Sequence, residues 1–163
     1  MRSIRDQTVG LLGVGIVASG EAPAQDRAGP AGEEDAIRKL MAAYSAALNG
    51  GRTSLVMPLY SDDGVFMPPY SPSAVGKDAV RTAYDKVFEE LKFHVQFTIE
   101  ELVVMAPNWA YVRTNSAGTT DHHSSGKTTA EANQELFILK KGNDGDWRIA
   151  RYSFSPIRPP AAS

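Results

Sequence analysis

The sequence predicts an α+β fold in which three helices precede a strongly bent antiparallel sheet. Up to about residue 91, apolar residues recur at three- and four-residue spacing, which is typical of amphipathic helices. From Phe93 onward they alternate with polar residues, as in half-buried strands. Because helices and strands are segregated along the chain, the class is α+β. A bent sheet wrapped around the first helix would enclose a cone-shaped pocket.

Three helices are predicted in the N-terminal half. The first covers residues 33–48, because acidic residues open it and complement the helix dipole. Asn49-Gly50-Gly51 ends it, since glycine tolerates the left-handed cap. Thr53 is the predicted N-cap of a short second helix over residues 55–60. The third covers residues 77–91.

One short strand and four long strands are predicted. Ser61–Gly64 is predicted as a turn into the short strand, Val65–Met67. The long strands are predicted over residues 93–105 with a bulge near residue 100, then over residues 109–120, 128–141 and 147–155. The outer face of this sheet needs cover, and we expect a homodimer to form through it.

Composition excludes several classes of function. The 163-residue chain has no cysteine, so disulfides and thiolate chemistry are excluded. With a net charge of −2 and no basic run, it offers a nucleic acid no favourable surface. No apolar stretch reaches the roughly 20 residues of a membrane-spanning helix. Neither a phosphate-binding glycine loop nor a nicotinamide or flavin fingerprint is visible, so no cofactor is predicted.

The N-terminus resembles a secretory signal peptide. Arg2 and Arg5 precede the apolar run Val9–Ala18, which is followed by the small residues of Ala22-Pro23-Ala24. Export to the periplasm or the exterior is one interpretation, and a disordered tail on a cytoplasmic protein is the other. The predicted organisation is a signal-like or disordered segment with a linker over residues 1–32, a folded domain over residues 33–158 and a disordered tail over residues 159–163.

The order of several segments resembles a known family. MAAYSAALNGG, LYSDDGVFMPP, ANQELFILKK and DGDWRIARYSFS follow one another as in the SnoaL-like division of the nuclear transport factor 2-like superfamily. Within it, the chain is most similar to the SgcJ/EcaC group. The resemblance covers residues 33–158 and implies a cone-shaped pocket and, usually, a dimer. Relatives include ketosteroid isomerases, polyketide cyclases, dehydratases and non-enzymatic binding domains, so no single reaction is implied.

Tyr44 and Glu135 are the main candidate catalytic residues. The resemblance to ketosteroid isomerases places Tyr44 on the oxyanion-hole tyrosine and Glu135 near the protonated acid of that site. A carboxyl that faces a closed pocket has a raised pKa and can donate a hydrogen bond. The alternatives are a core tyrosine and an outward glutamate on a dimer face or in a salt bridge. If Glu135 faces inward, strand alternation turns Asn133 inward as well.

The general base of the isomerases is missing. Met67 or Pro68 occupies its position, and neither accepts a proton, so steroid-type isomerisation is not expected. His94 is the candidate replacement because a neutral imidazole accepts protons near physiological pH, although a solvated residue near a strand end is the alternative. Asp62 and Asp63 are predicted to have a structural role.

An aromatic-rich pocket suits a planar or polyketide-like ligand. Besides the catalytic candidates, the predicted ligand-binding residues are Tyr60, Met67, Tyr70, Phe88, Thr114, Asn133, Tyr152 and Phe154. His122 and His123 fall in a polar loop, so no metal site is predicted. The predicted function is a cofactor-free isomerase, cyclase or dehydratase that acts on a small molecule. The alternative is a non-catalytic ligand-binding or dimerisation module of the same fold.

Overall fold

The computed structural model describes residues 30–158. The predicted signal-like segment therefore lies almost entirely outside the described residues, as does the predicted tail. No helix within residues 30–158 is long and apolar enough to cross a membrane. The elements are α1 (Pro30–Gly50), α2 (Thr53–Val56), a 3-10 turn (Met57–Leu59), β1 (Tyr60–Met67), β2 (Ala74–Val75), α3 (Lys77–Glu90), β3 (Leu91–Ala106), β4 (Trp109–His122), β5 (Lys127–Lys141) and β6 (Trp147–Pro156).

The strands form one six-stranded sheet in the order β2-β1-β6-β5-β4-β3. The predicted α+β architecture of three helices and a sheet is confirmed. One detail differs, because β1 pairs with β6 in parallel while all other neighbours are antiparallel. The chain between these two strands includes α3 and three long strands, and a long crossover of this kind permits parallel pairing.

The apolar stripe of α1 provides much of the core. Ile37, Leu40, Met41, Tyr44 and Leu48 are all buried on this face. The helix begins at Pro30, three residues before the predicted start, because proline is compatible with the first helical turn. Its predicted end is confirmed, since Gly51 has a φ of +65° and its N–H donates to the carbonyls of Ala47 and Leu48.

Both ends of α1 are fixed to the sheet. Near its start, Glu33 accepts hydrogen bonds from Trp147 Nε1 at 2.7 Å and Lys141 Nζ at 2.5 Å. Near its end, Asn49 Nδ2 donates to the Val95 carbonyl at 2.8 Å, and the Val95 N–H donates to Asn49 Oδ1 at 2.9 Å. The Asn49 amide thus satisfies the backbone of an edge strand as a neighbouring strand would.

The segment before α3 differs most from the prediction. Helix α2 covers Thr53–Val56 and continues as a 3-10 turn, so Arg52 rather than Thr53 is the N-cap. Ser61–Gly64 is not a turn but part of β1, where the register against β6 shifts between Tyr60 and Val65. A Cβ at Gly64 would lie 2.8 Å from the Tyr60 ring and 2.9 Å from the Ser61 carbonyl oxygen, so the irregular strand requires glycine there.

The long strands lie within two residues of their predicted bounds. The predicted bulge in β3 is confirmed, since its register against β4 shifts between Ile99 and Glu101. A tight turn follows β5, with a Gly145 φ of +87° and a hydrogen bond from its N–H to the Gly142 carbonyl. These strands hold the inner face of the sheet against α1 and α3.

Candidate functional site

A cavity of about 200 Å³ lies between α1, α3 and the inner face of the sheet. Most of its lining is apolar, and a few polar groups from β4 and β5 occupy one wall. The aromatic residues that line it are Tyr44, Phe66, Tyr84, Phe93, Phe97, Tyr152 and Phe154. The polar residues on the β4–β5 wall are Ser116, Glu131, Asn133 and Glu135. Concave, mostly apolar sites with a few convergent polar groups are the usual form of small-molecule sites.

Glu135 is the most buried charged group of this wall, at 3% exposure. It faces Thr114 across the β4–β5 pair, and Thr114 Oγ1 donates to its Oε2 at 2.5 Å. Ser116 Oγ donates to its Oε1. Burial raises the pKa of Glu135 to about 7, against the opposing effect of these two hydrogen bonds, and nearby Glu131 raises it further.

Glu131 lies on the same face of β5, and the sequence argument did not identify it. Thr120 Oγ1 donates to its Oε2, and Asn133 Nδ2 donates to its Oε1 at 3.0 Å. The alternation that turns Asn133 inward from Glu135 also turns Glu131 inward, so one further step along the strand would have found it. Ser116 was missed as well, although it lies directly opposite Asn133 on β4.

Three buried tyrosines form a chain of hydroxyl groups beside the cavity. The Tyr44 and Tyr84 hydroxyls are 2.8 Å apart, and those of Tyr84 and Tyr60 are 3.0 Å apart. Each residue is 1% exposed. Burial raises the pKa of all three phenols well above the usual value, so they stay neutral and can donate hydrogen bonds at physiological pH.

A stack of nearly parallel rings on β1, β5 and β6 lies next to the polar wall. The Tyr152 ring lies 4.2 Å from that of Phe137 with 6° between the planes, and 5.5 Å from that of Phe66 with 12°. Phe154 extends the stack from Tyr152 at 5.7 Å. Rings fixed in this way give the cavity a rigid shape.

The structure places five of the predicted site residues at this cavity. Tyr44, Glu135, Asn133, Tyr152 and Phe154 all line it. Three others lie behind the lining. The Tyr60 hydroxyl contacts Tyr84, Phe88 packs on Tyr84 and Phe93, and Thr114 is fully buried beneath Glu135.

His94, Met67 and Tyr70 are corrected by the structure. Since Phe93 and Val95 point inward, strand alternation directs His94 outward, where its Nε2 lies 2.9 Å from Asp121 Oδ2 and its side chain is 53% exposed. The same alternation in β1 turns Phe66 into the cavity and Met67 away. Tyr70 has a φ of 60° in the loop after β1 and is 99% exposed.

Of Met67 and Pro68, the two candidate positions for the missing base, only Pro68 lines the cavity, and neither accepts a proton. Asp62 pairs with Lys77 at 2.7 Å and Asp63 with Lys140 at 3.3 Å, both at the surface. His122 contacts Thr129, and His123 contacts the Glu89 carbonyl. Within the part of the chain that the structure describes, no group of three or more acidic or histidine side chains could hold a metal ion.

Comparison with known proteins decides the family. The model of the SnoaL-like domain matches residues 41–152 of this chain. The chain belongs to the SnoaL-like domain family. This SnoaL-like chain is 40% identical to a ketosteroid isomerase-like protein from Erwinia carotovora atroseptica SCRI1043, with a TM-score of 0.75 over 78% of this chain and 98% of that one.

Other solved structures share the SnoaL-like fold at lower identity. A conserved protein from Planctomyces limnophilus DSM 3776 is 25% identical, with a TM-score of 0.68 over 77% of this chain and 98% of that one. Hexachlorocyclohexane dehydrochlorinase LinA-type3 from Novosphingobium barchaimii LL02 is 10% identical, with a TM-score of 0.68 over 80% and 92% of the two chains. No curated protein sequence matches. The predicted family resemblance is thus confirmed.

Proposed function

We propose that this SnoaL-like protein is a cofactor-independent acid–base enzyme of the isomerase, cyclase or dehydratase type. Its substrate is a small, mostly apolar molecule that carries a carbonyl or hydroxyl group. One observation carries the proposal: Glu135 is buried in an aromatic cavity, has a pKa of about 7 and shares that cavity with Tyr44. Perturbed carboxyls in closed clefts are typical of catalytic sites.

Glu135 has the properties of a proton carrier at neutral pH. With a pKa of about 7 it is present in both forms, so it can remove a proton in one step and return it in the next. In the isomerisation of a β,γ-unsaturated carbonyl compound, the proton would leave the carbon between the carbonyl and the double bond and return to the far carbon of the resulting dienol. The substrate would then gain and lose no atoms.

The tyrosine hydroxyls would stabilise the oxygen of that enol. Tyr44 and Tyr84 line the cavity, and the Tyr60 hydroxyl contacts that of Tyr84 from behind the lining. When Tyr44 donates to a substrate oxygen, Tyr84 can donate to Tyr44 and Tyr60 to Tyr84. Neutral donors fixed before the reaction stabilise developing negative charge without reorganisation. A hydrogen-bond chain of this kind strengthens its terminal donor.

The size of the cavity limits the substrate. An apolar cavity of about 150 Å³ in another protein holds one benzene molecule, and this one measures about 200 Å³. It therefore suits a single substituted ring or two small fused rings. A larger polyketide-like molecule would extend beyond it.

Deuterium exchange into 2-tetralone tests this function. Proton NMR in D₂O would follow loss of the acidic protons beside its carbonyl. We expect the protein to accelerate the exchange over buffer, and Glu135→Gln to slow it by about 100-fold or more, as for other acid–base residues. Glu34→Gln is the matched control, because Glu34 lies at the surface of α1 with a side-chain exposure of 48%.

The alternative is a non-catalytic ligand-binding module, and it is favoured because neither Met67 nor Pro68, the two candidate positions for the isomerase base, accepts a proton. If the protein binds 2-naphthol, a planar hydroxylated analogue, but does not accelerate exchange into 2-tetralone, the enzyme proposal fails and the binding module is supported.

Three further proposals rest on the sequence patterns. The order of the motifs favours the SgcJ/EcaC group within the family. The signal-like N-terminal residues favour export. The outer face of the sheet, which includes Leu136 at 42% exposure, favours a homodimer.

A further inference from the structure

The cavity is acidic as well as aromatic. Glu131 and Glu135 both face it from the inner face of β5. Among the described residues that line it, none is a lysine, arginine or histidine. The carboxyl of Glu135 has no basic partner among these residues, and burial together with nearby Glu131 disfavours its ionised form. A ligand that brings positive charge would remove both penalties.

We propose that the ligand of this cavity is a small organic cation, a ring bearing a primary ammonium group that binds to Glu131. The inference rests on the proposed function for the location of the site and adds the chemical class of the substrate. A carboxylate or phosphate ligand would instead meet two carboxyl groups and no basic side chain among the described lining residues.

The surroundings of Glu131 suit this role. Thr120 and Asn133 each donate one hydrogen bond, one to each carboxylate oxygen, which orients the group. A carboxylate has about four acceptor positions, so two remain for a ligand. An ammonium group offers three hydrogen-bond donors and a full positive charge, whereas an alcohol offers one donor and no charge. Glu131 is only half-buried, which leaves it accessible to a polar group of the ligand.

Binding at Glu131 would also alter Glu135. The titratable groups that line the cavity together with Glu135 are Glu131 on β5, Tyr44 on α1, Tyr84 on α3 and Tyr152 on β6. Burial raises the pKa of all three phenols, which leaves them neutral. A bound ammonium group would offset the charge of Glu131 and favour the ionised form of Glu135. The cation would thus release a proton from Glu135 and prepare it to act as a base.

Calorimetric titration of the full chain at pH 7 with three matched probes tests the inference. The probes are 2-phenylethylamine, 2-phenylethanol and phenylacetate, which share one ring and a similar length. We expect the amine to bind at least about tenfold tighter than the alcohol, the effect of one charged hydrogen bond, and phenylacetate to bind most weakly. Repeating the amine titration in buffers of different ionisation enthalpy should reveal proton release.

Two variants test which residue is responsible for the preference for the amine and which for the proton release. Glu131→Gln should remove the preference for the amine and keep the affinity for the alcohol, which also shows that the cavity is intact. Glu135→Gln should abolish the proton release. Glu34→Gln, at the surface of α1, should behave as the unmodified chain.

Equal or tighter binding of the alcohol, no binding of any probe, or a preference for the amine that survives Glu131→Gln would overturn the inference. The exchange assay judges the proposed function separately. Amine binding without exchange would refute the chemistry and leave the cation site standing. Exchange without preference for the amine would refute the cation site and leave the proposed chemistry standing.

Discussion

Glu135 and Glu131 have identical side chains and line the same cavity, but they differ in how deeply they are buried. Glu135 is 3% exposed and accepts hydrogen bonds from the hydroxyls of Thr114 and Ser116, but burial outweighs these two bonds and raises its pKa to about 7. Glu131 lies four residues earlier on the same face and is half-buried. One strand therefore presents a deep proton carrier and a shallower carboxyl acceptor to the same ligand.

Glu135 should make the folded state less stable as pH rises. Its pKa increases from 4.5 to about 7 on folding, so between these values the native chain binds more protons than the unfolded chain. The free energy of unfolding then falls with rising pH, by up to about 3 kcal/mol between pH 4.5 and 7. Urea denaturation at several pH values measures this slope.

Glu135→Gln should remove the contribution of Glu135 to the pH dependence of the free energy of unfolding, because an amide does not titrate. Glu34→Gln serves as the control at an exposed position. An unchanged slope in Glu135→Gln would mean that the carboxyl ionises normally inside the cavity, and the proton-carrier role would lose its basis.

Residue type and strand alternation contributed differently to the prediction of the site. Glu135 was predicted from the resemblance to ketosteroid isomerases, and Asn133 followed from it by strand alternation. His94 was chosen for its imidazole, although the inward direction of Phe93 and Val95 already directed it outward. Alternation determines which side chains reach a cavity, while residue type only determines what they could do there.

At the scale of elements, long periodic segments were predictable and short ones were not. Helix α1 and the long strands have clear apolar periodicity, and their predicted bounds lie close to those observed. The segment Ser61–Gly64 has the composition of a turn, but pairing with β6 holds it in β1. Because β6 is the last strand of the chain, local sequence carries no signal for this contact.

Asn49 is expected to stabilise the edge of the sheet. Asn49→Ala removes both hydrogen bonds to the Val95 backbone and leaves that N–H and carbonyl without this partner. We expect a loss of about 1–3 kcal/mol in the free energy of unfolding, measured by urea denaturation.

Gln96→Ala is the matched control, because Gln96 is exposed on the outer face of the same strand. A loss in Asn49→Ala no larger than in this control would show that water replaces the amide at no cost.

At the scale of the whole molecule, the architecture followed from the order of helices and strands. The parallel pairing of β1 with β6 did not, since it joins distant parts of the chain. The shape of the cavity could not be predicted from the sequence either, because it depends on how rings from α1, α3 and four strands pack together.

The proposed homodimer belongs to this scale as well. Sedimentation at micromolar concentration should show a dimer, and Leu136→Asp should yield a monomer, because Leu136 is exposed on the outer face of β5 and a charge there would be buried in the interface. Val75→Asp is the control, because Val75 is 68% exposed on β2, an edge strand that is separated from β5 by two strands. A monomeric unmodified chain would contradict the proposal.

Helix α1 crosses the inner face of the sheet and is bonded to it at both ends. It has 21 residues, and a helix of that length extends about 30 Å. One end is bonded to Trp147 and Lys141, and the other to Val95 on the far edge strand. A rigid rod fixed at two separated points sets the span between them. The distance across the sheet from Trp147 to Val95 is therefore set by the length of α1, and a change in that length would shift the strands that carry the walls of the cavity.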